Sequence, residues 1–149
     1  MDRSQENQAE KIAQTMHGND PFAAWLGIQL IEILPGKARV QMKVRSDMLN
    51  GHRTCHGGVT FSLADSAFGL ACNTHGQISF ALEANISYSV KVLENETLTA
   101  CAEEVHRNHK IGVYEVTVSK EDGTKVAFFR GTAYRSKRDF FAEYLKSSS

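Results

Sequence analysis

The sequence is short of the features that mark a specialised class of protein. Its three cysteines, Cys55, Cys72 and Cys101, are odd in number and lack close pairing, so they read as free thiols in a reducing compartment rather than as a disulfide framework. Its 17 basic and 17 acidic residues cancel to a formal charge of zero, which leaves no global field to draw in nucleic acid or an anionic membrane. A phosphate-bearing ligand would need a local basic cluster. No apolar run approaches the roughly 20 residues of a membrane-spanning helix, and the polar start MDRSQENQAEK has no apolar signal core. A soluble, cytoplasmic protein is expected. Repeats, low-complexity tracts and interdomain linkers are also missing. What is there is an ordinary globular composition, 42% hydrophobic and 23% charged over 149 residues, long enough for one domain with a real core. That domain is read as 1–149, with an N-terminal helical extension over 1–20 and a C-terminal tail over 137–149.

The elements follow from the patterning. Residues 4–17 are rich in helix formers and stop at Gly18-Asn19; Asp20 and Pro21 then cap and open a second short helix through Leu26. Ile28–Leu34 and Lys37–Arg45 make a hairpin around the Pro35-Gly36 turn, with Ala38, Val40, Met42 and Val44 facing one way. After a long apolar helix come strands at Ile78–Val90, Glu96–His106, Ile111–Ser119 and Lys125–Arg135, and a short helix around Phe140–Leu145. Phe80, Leu82, Ala84, Ile86 and Tyr88 share one face of the first of these strands, and the set Phe61, Phe68, Phe80 and Tyr88 is expected to be mostly core, with one or two free to line an aryl pocket. One long helix on the face of an antiparallel sheet is an α+β layer architecture. Wrapped around by a curved sheet of about five or six strands, that helix is the hot-dog arrangement. The strand Ile78–Val90 is long enough to carry the sheet across a dimer.

The chemistry is concentrated in Asn50–Gly76, which runs from a polar loop through Gly57-Gly58 into the apolar helix. A helix starting there presents unpaired amides and a dipole that suit a partial or full negative charge. The glycine pair is equally compatible with a plain loop end. Asp65 is an unfavourable residue for a helix interior, flanked one turn away by Phe61, Ser62, Phe68 and Gly69. A buried, unpaired carboxylate has a perturbed pKa; a surface-facing acid does not. Gly57 and Asp65 are eight residues apart, about 12 Å along a helix that rises about 1.5 Å per residue. If both act on one carbonyl carbon, they come from two subunits, and a homodimer with two equivalent sites follows.

The stretch MLNGHRTCHGGVTFSLADSAFGLACNTHG resembles the MLNxxxxxHGG…LAD core of the hot-dog-fold acyl-CoA thioesterases, and among them the phenylacetate-degradation, PaaI-type branch. The likeness continues through GVYEV and VAFFRGTAYR, from about Phe22 to Arg135. The resemblance implies hydrolysis of acyl-CoA, with phenylacetyl-CoA or hydroxyphenylacetyl-CoA as the expected aryl substrate, by a homotetramer built as a dimer of dimers. It implies that Asp65 is general base or nucleophile and that the Gly57 amide polarises the thioester carbonyl from the opposite subunit. Asn50 would orient substrate or water, with His56 beside it, and Gly58 and Phe61 would contact substrate. A water-holding hydroxyl found in some relatives has only Ser79 as a counterpart here. No metal or redox cofactor is expected, since CoA enters as part of the substrate. His52 and His56, with Cys55 between them, are two ligands on one loop without a third for a metal.

Among the basic residues, Arg107 and Lys110 in the turn HRNHK are the first candidates for the CoA phosphates, with Arg53 and Lys91 behind them. Two other functions fit the same stretch. His56 could serve a hot-dog dehydratase or hydratase acting on acyl thioesters, or the domain could bind CoA thioesters without turnover.

Overall fold

The computed structural model describes residues 2–147, and side chains as far as 144. Two N-terminal helices, α1 (Arg3–Gly18) and α2 (Pro21–Leu26), lead into β1 (Gln29–Leu34) and β2 (Lys37–Lys43). A 3-10 turn at Ser46–Met48 precedes the central helix α3 (Gly57–Asn73). Four strands follow, β3 (Gln77–Tyr88), β4 (Thr97–Arg107), β5 (Ile111–Lys120) and β6 (Lys125–Asp139), and then α4 (Phe140–Ser147). The six strands form one antiparallel sheet in the order β1-β2-β4-β5-β6-β3. It is the hot-dog arrangement, with α3 against one face.

The alternation in each strand sets which face is buried. Ala38, Val40 and Met42 on β2, Leu98, Ala100 and Ala102 on β4, and Tyr114, Val116 and Val118 on β5 are all fully buried. They meet Leu63, Ala64, Ala67 and Ala71 of α3, whose short side chains let the helix approach the sheet closely. Phe68 packs edge-on against the Tyr114 ring, with centroids 5.7 Å apart. Asp2 caps α1 by accepting from the Ser4 amide, and Asp20 caps α2 by accepting from Ala23. Ala9, Ile12 and Ala13 then bury one face of α1, which contacts β1 and α3.

Two expectations are corrected. First, β6 does not end at Arg135: it runs to Asp139, because Gln77↔Asp139 pairing and the Phe140 N–H bond to the Gly76 carbonyl (2.8 Å) carry the ladder to the start of β3. Second, the aromatic set is not mostly core. Phe68 is buried, but Phe80 is 48% and Tyr88 52% exposed, because β3 is the last strand of the sheet. Leu82 is exposed on the same strand, and Val90 just beyond its end. Ser148 and Ser149, the end of the C-terminal tail, lie outside the described residues. No described helix is long and apolar enough to cross a membrane.

Candidate active site

The loop before α3 is shaped by Asn50. Its backbone N–H donates to the Thr54 carbonyl at 2.8 Å, its Oδ1 accepts from the amides of His52 (2.9 Å) and Thr54 (3.2 Å), and its Nδ2 donates to Thr54 Oγ1 at 3.0 Å. Within the protomer the Asn50 amide therefore folds its own turn. Arg53 takes the left-handed conformation in that turn, with φ of 61°. The loop is tied outward by the Cys55 N–H to the Val92 carbonyl (2.7 Å) and by the His56 N–H to the Met48 carbonyl (2.8 Å).

At the helix start, four bonds lock the two glycine peptides. The His56 carbonyl accepts from Val59 and Thr60, His56 Nδ1 accepts from the Gly58 N–H at 2.9 Å, and the Tyr88 hydroxyl donates to the Gly57 carbonyl at 2.8 Å. The Gly57 N–H has no partner among the described residues. The helix end thus presents one rigid, free donor, backed by the dipole. A Cβ at Gly57 would stand 3.1 Å from Cζ of Tyr88, so a larger residue there pushes the tyrosine ring aside by a few tenths of an ångström. His56 acts as the N-cap. With Nδ1 accepting from Gly58, the neutral ring carries its proton on Nε2, and neither nitrogen is left as a base. That geometry argues against the dehydratase reading, which needs His56 to move a proton.

Asp65 lies two turns further along the unbroken helix, about 12 Å from Gly57 at the usual rise per residue. One protomer does not bring the two together. The carboxylate is exposed at the protomer surface and has no hydrogen-bond or ion-pair partner among the described residues. Even so, the surrounding protein desolvates it enough to raise its pKa above the usual 3.8. It opens on a cavity of about 200 Å³ between α3 and the N-terminal helices, whose walls include Met16, Phe22 and Leu70.

The remaining candidates are dispersed. Gly58 spends its amide on His56. Phe61 is turned toward the sheet, its ring centroid 5.4 Å from that of Phe129. Ser79 sits beyond the far end of α3: its N–H donates to Asn73 Oδ1 at 2.9 Å and its hydroxyl to the Gln77 carbonyl at 3.1 Å, so it is not beside Asp65. Arg107 is also at the far end, paired with Glu104 at 3.1 Å. Lys110 is exposed in the neighbouring hairpin, where its carbonyl accepts from the Arg135 N–H. Arg53 and Lys91 are the basic residues adjacent to the Gly57 end, since Lys91 precedes the Val92 that ties down Cys55. Among the described residues no group of three or more His, Cys, Asp and Glu could hold a metal.

Sequence patterning did not reveal Tyr88 as the anchor of Gly57. The two are 31 residues apart, and nothing local in either segment signals the contact. Nor did it show that the first 26 residues wall the cavity beside Asp65, although Phe22 and Leu70 each carry an apolar-face signal.

The description "thioesterase superfamily" belongs to the family model that matches residues 52–127. The acyl-coenzyme A thioesterase PaaI of Escherichia coli is 40% identical over 129 residues, covering 87% of this chain and 92% of that protein. The structure of E. coli PaaI, from the phenylacetic acid degradation operon, superposes with a TM-score of 0.88, covering 90% of this chain and 97% of that one at 39% identity. A mutant structure of the phenylacetic acid degradation protein PaaI of Thermus thermophilus gives a TM-score of 0.76 at 40% identity, covering 78% of this chain and all (100%) of that one.

Proposed function

The chain belongs to the thioesterase superfamily and is a thioester hydrolase of the hot-dog fold; on that premise we propose that it hydrolyses aryl-acyl-CoA, of the phenylacetyl or hydroxyphenylacetyl type, to the free acid and CoA. The relatives named for phenylacetic acid degradation support the acyl class. The observation that carries the reaction is the pairing of two unsatisfied groups on one helix: a rigid free N–H at Gly57 and an unpartnered carboxylate at Asp65.

The carbonyl oxygen of the thioester accepts from the Gly57 N–H, which stabilises the negative charge that develops there by about 3 kcal/mol. Asp65 of the other subunit either takes a proton from the attacking water or attacks the carbonyl itself. The C–S bond breaks and CoA leaves as the thiol with a proton from water; where Asp65 itself has attacked, water then hydrolyses the acyl–carboxylate anhydride to the free acid and restores the carboxylate. Water, carboxylate and amide suffice for this sequence, and no metal or redox group takes part in it.

The dimer follows from the separation of the two groups, and β3 supplies its surface. That strand is an edge with twelve residues and exposed Phe80, Leu82 and Tyr88, a surface that a soluble protein normally covers. Two-fold pairing across β3 lays the two α3 helices antiparallel and turns each Gly57 toward the partner copy of the acid. Two such dimers make the tetramer. Arg53 and Lys91 stand nearer the Gly57 amide than Arg107 does and are the better placed for the CoA phosphates.

Thiol release from a panel of acyl-CoAs tests the reaction, and an Asp65→Asn protein as fast as the parent would sink the catalytic assignment. The shared site has a sharper test. Asp65→Asn and Gly57→Val proteins, each inactive alone, regain activity when unfolded and refolded together, because each mixed dimer holds one intact site. No recovery in verified mixed dimers would place both groups in one subunit's site and overturn the dimer reading. Calorimetric CoA binding without turnover of any thioester would favour a binding module instead.

A further inference from the structure

The C-terminal end of α3 holds hydrogen-bond donors that the thioester reaction leaves unused. A cavity of about 340 Å³ opens there, and its walls include Gln5 and Gln8 of α1, Thr74 and His75, and Glu104 and Arg107 of β4. The Glu104 carboxylate accepts from His75, Tyr114 and Arg107 and has nothing left to offer a ligand. The groups around it are only partly spent. Arg107 uses Nε on Glu104 at 3.1 Å, and its two terminal nitrogens have no partner among the described residues. His75 places Nε2 against Glu104 at 2.6 Å, which leaves Nδ1 of the neutral ring as an unpartnered acceptor. The side-chain amides of Gln5 and Gln8 make no hydrogen bond among the described residues. Arg135 belongs to the same cluster and is 9% exposed; its Nη1 donates to the Asn108 carbonyl, while its Nε is buried without a partner among the described residues.

Charge is unbalanced here as well. Two guanidinium groups face one carboxylate and one neutral imidazole, which leaves one positive charge over in half-buried surroundings. Such a charge is costly without a counter-ion. We propose that this cavity binds a small phosphate monoester, its oxygens held by the terminal nitrogens of Arg107 and its P–OH donating to His75 Nδ1. Arg107 and His75 each bond to Glu104, so one carboxylate sets the donor and the acceptor side by side. A singly protonated phosphate is the oxyanion that matches both, since it accepts from a guanidinium and still carries a proton to donate. Sulfate and carboxylate ions only accept. The cavity exceeds the roughly 300 Å³ at which small-molecule pockets begin, which leaves room for a polar organic part against Gln5 and Gln8. The negative end of α3 is muted toward an anion, because the Thr74 hydroxyl covers the Ala71 carbonyl at 2.7 Å and the Gly76 N–H covers that of Asn73 at 3.1 Å. Asp65 is eight residues from the last residue of α3, about 12 Å away along the helix. The phosphate site is therefore distinct from the catalytic one and does not depend on the thioesterase reading.

Calorimetry at a pH of about 6, near the second pKa of a phosphate, tests it with glycerol 3-phosphate, inorganic phosphate and sulfate. Glycerol 3-phosphate is expected to bind tightest and sulfate at least tenfold more weakly, with a matching rise in melting temperature. Arg107→Gln, at an exposed side chain, is expected to weaken glycerol 3-phosphate at least tenfold and to leave KM for acyl-CoA within twofold. Gln5→Ala, exposed on α1, is expected to weaken it severalfold without touching the Glu104 cluster. Equal affinity for sulfate and phosphate, or binding unchanged in both variants, would overturn the proposal. Inorganic phosphate binding more tightly than glycerol 3-phosphate would overturn the monoester assignment. Displacement of glycerol 3-phosphate by CoA, or a tenfold rise in KM in Arg107→Gln, would make the cluster part of the thioester site and overturn the separate one.

Discussion

The two ends of α3 carry similar residues and do opposite things. Each has a histidine, a tyrosine from a neighbouring strand and a nearby arginine. At the C-terminal end, His75 Nε2 contacts Glu104 Oε2 at 2.6 Å, the Tyr114 hydroxyl donates to the same oxygen at 3.0 Å, and Arg107 Nε reaches Oε1 at 3.1 Å. Burial pushes the Glu104 carboxyl up, but the hydrogen bonds from His75 and the Tyr114 hydroxyl, with the Arg107 charge, outweigh it and hold the group below the usual range. Desolvation, aided by Arg107 and Arg135, lowers the His75 pKa against the pull of Glu104, so a neutral imidazole donates to a carboxylate. The cavity beside this cluster is larger, about 340 Å³, yet the cluster's carboxylate is already occupied by three donors. At the N-terminal end the anchoring bonds stop short of the Gly57 N–H, and Asp65 is left without a partner. A saturated carboxylate fixes structure, whereas an unpartnered one retains capacity for chemistry. Cavity size alone would favour the C-terminal end, where the carboxylate is already saturated.

Five predictions sharpen or break that contrast. Largest is Asp65→Asn, expected to lower kcat by about 10³-fold in a thiol-release assay, in the range of a lost general base, with KM for acyl-CoA nearly unchanged. Next, Glu104→Ala is expected to cost about 2 kcal/mol in denaturant unfolding, because it strands the buried Tyr114 hydroxyl; kcat of the folded fraction stays at the parent value. A comparable loss of kcat would mean that the C-terminal cluster takes part in the reaction.

Tyr88→Phe keeps the ring against Gly57 and removes only its hydrogen bond. It is expected to lower kcat about fivefold with KM held, as fits a bond of about 1 kcal/mol, while His56→Ala costs about 1 kcal/mol of stability as a lost cap. A Tyr88→Phe protein that loses KM rather than kcat would make the tyrosine a substrate contact instead of an anchor.

Smallest is the pH dependence of Asp65. Desolvation raises its folded pKa above 3.8, so between the unfolded and folded values the native state binds more protons and stability falls as pH rises. Asp65→Asn removes that loss, and its melting temperature at neutral pH should lie slightly above the parent's, a modest effect because the group is exposed. The acid limb of kcat/KM should accordingly lie above the ordinary carboxylate range in the parent. An Asp65→Asn protein less stable than the parent above this window would show that Asp65 is stabilised by a partner rather than strained.

Much of this was legible in the chain itself. Period-two alternation through Ala38–Val44, Leu98–Ala102 and Tyr114–Val118 reports a buried face whatever the strand order, because the pleat dictates it. The Asp20-Pro21 start and the Gly57 helix start are local signals, satisfied within a turn of the residues that carry them. The eight-residue spacing of Gly57 and Asp65 needed only the helix rise. Other features depended on which elements become neighbours. Alternation on β3 could not say that its large residues stay exposed, because that follows from its place at the sheet edge. Arg107 looked like a free cation in a basic turn until Glu104, three residues before it, was seen to face the same way. Tyr88 became an anchor only where β3 ends beside the start of α3, and the cavity beside Asp65 exists only because α1 and α2 fold back over that helix. Local propensity and periodicity belong to the sequence by itself. Partnership between distant groups is decided by packing, and it is packing that left the Gly57 N–H and the Asp65 carboxylate unpaired.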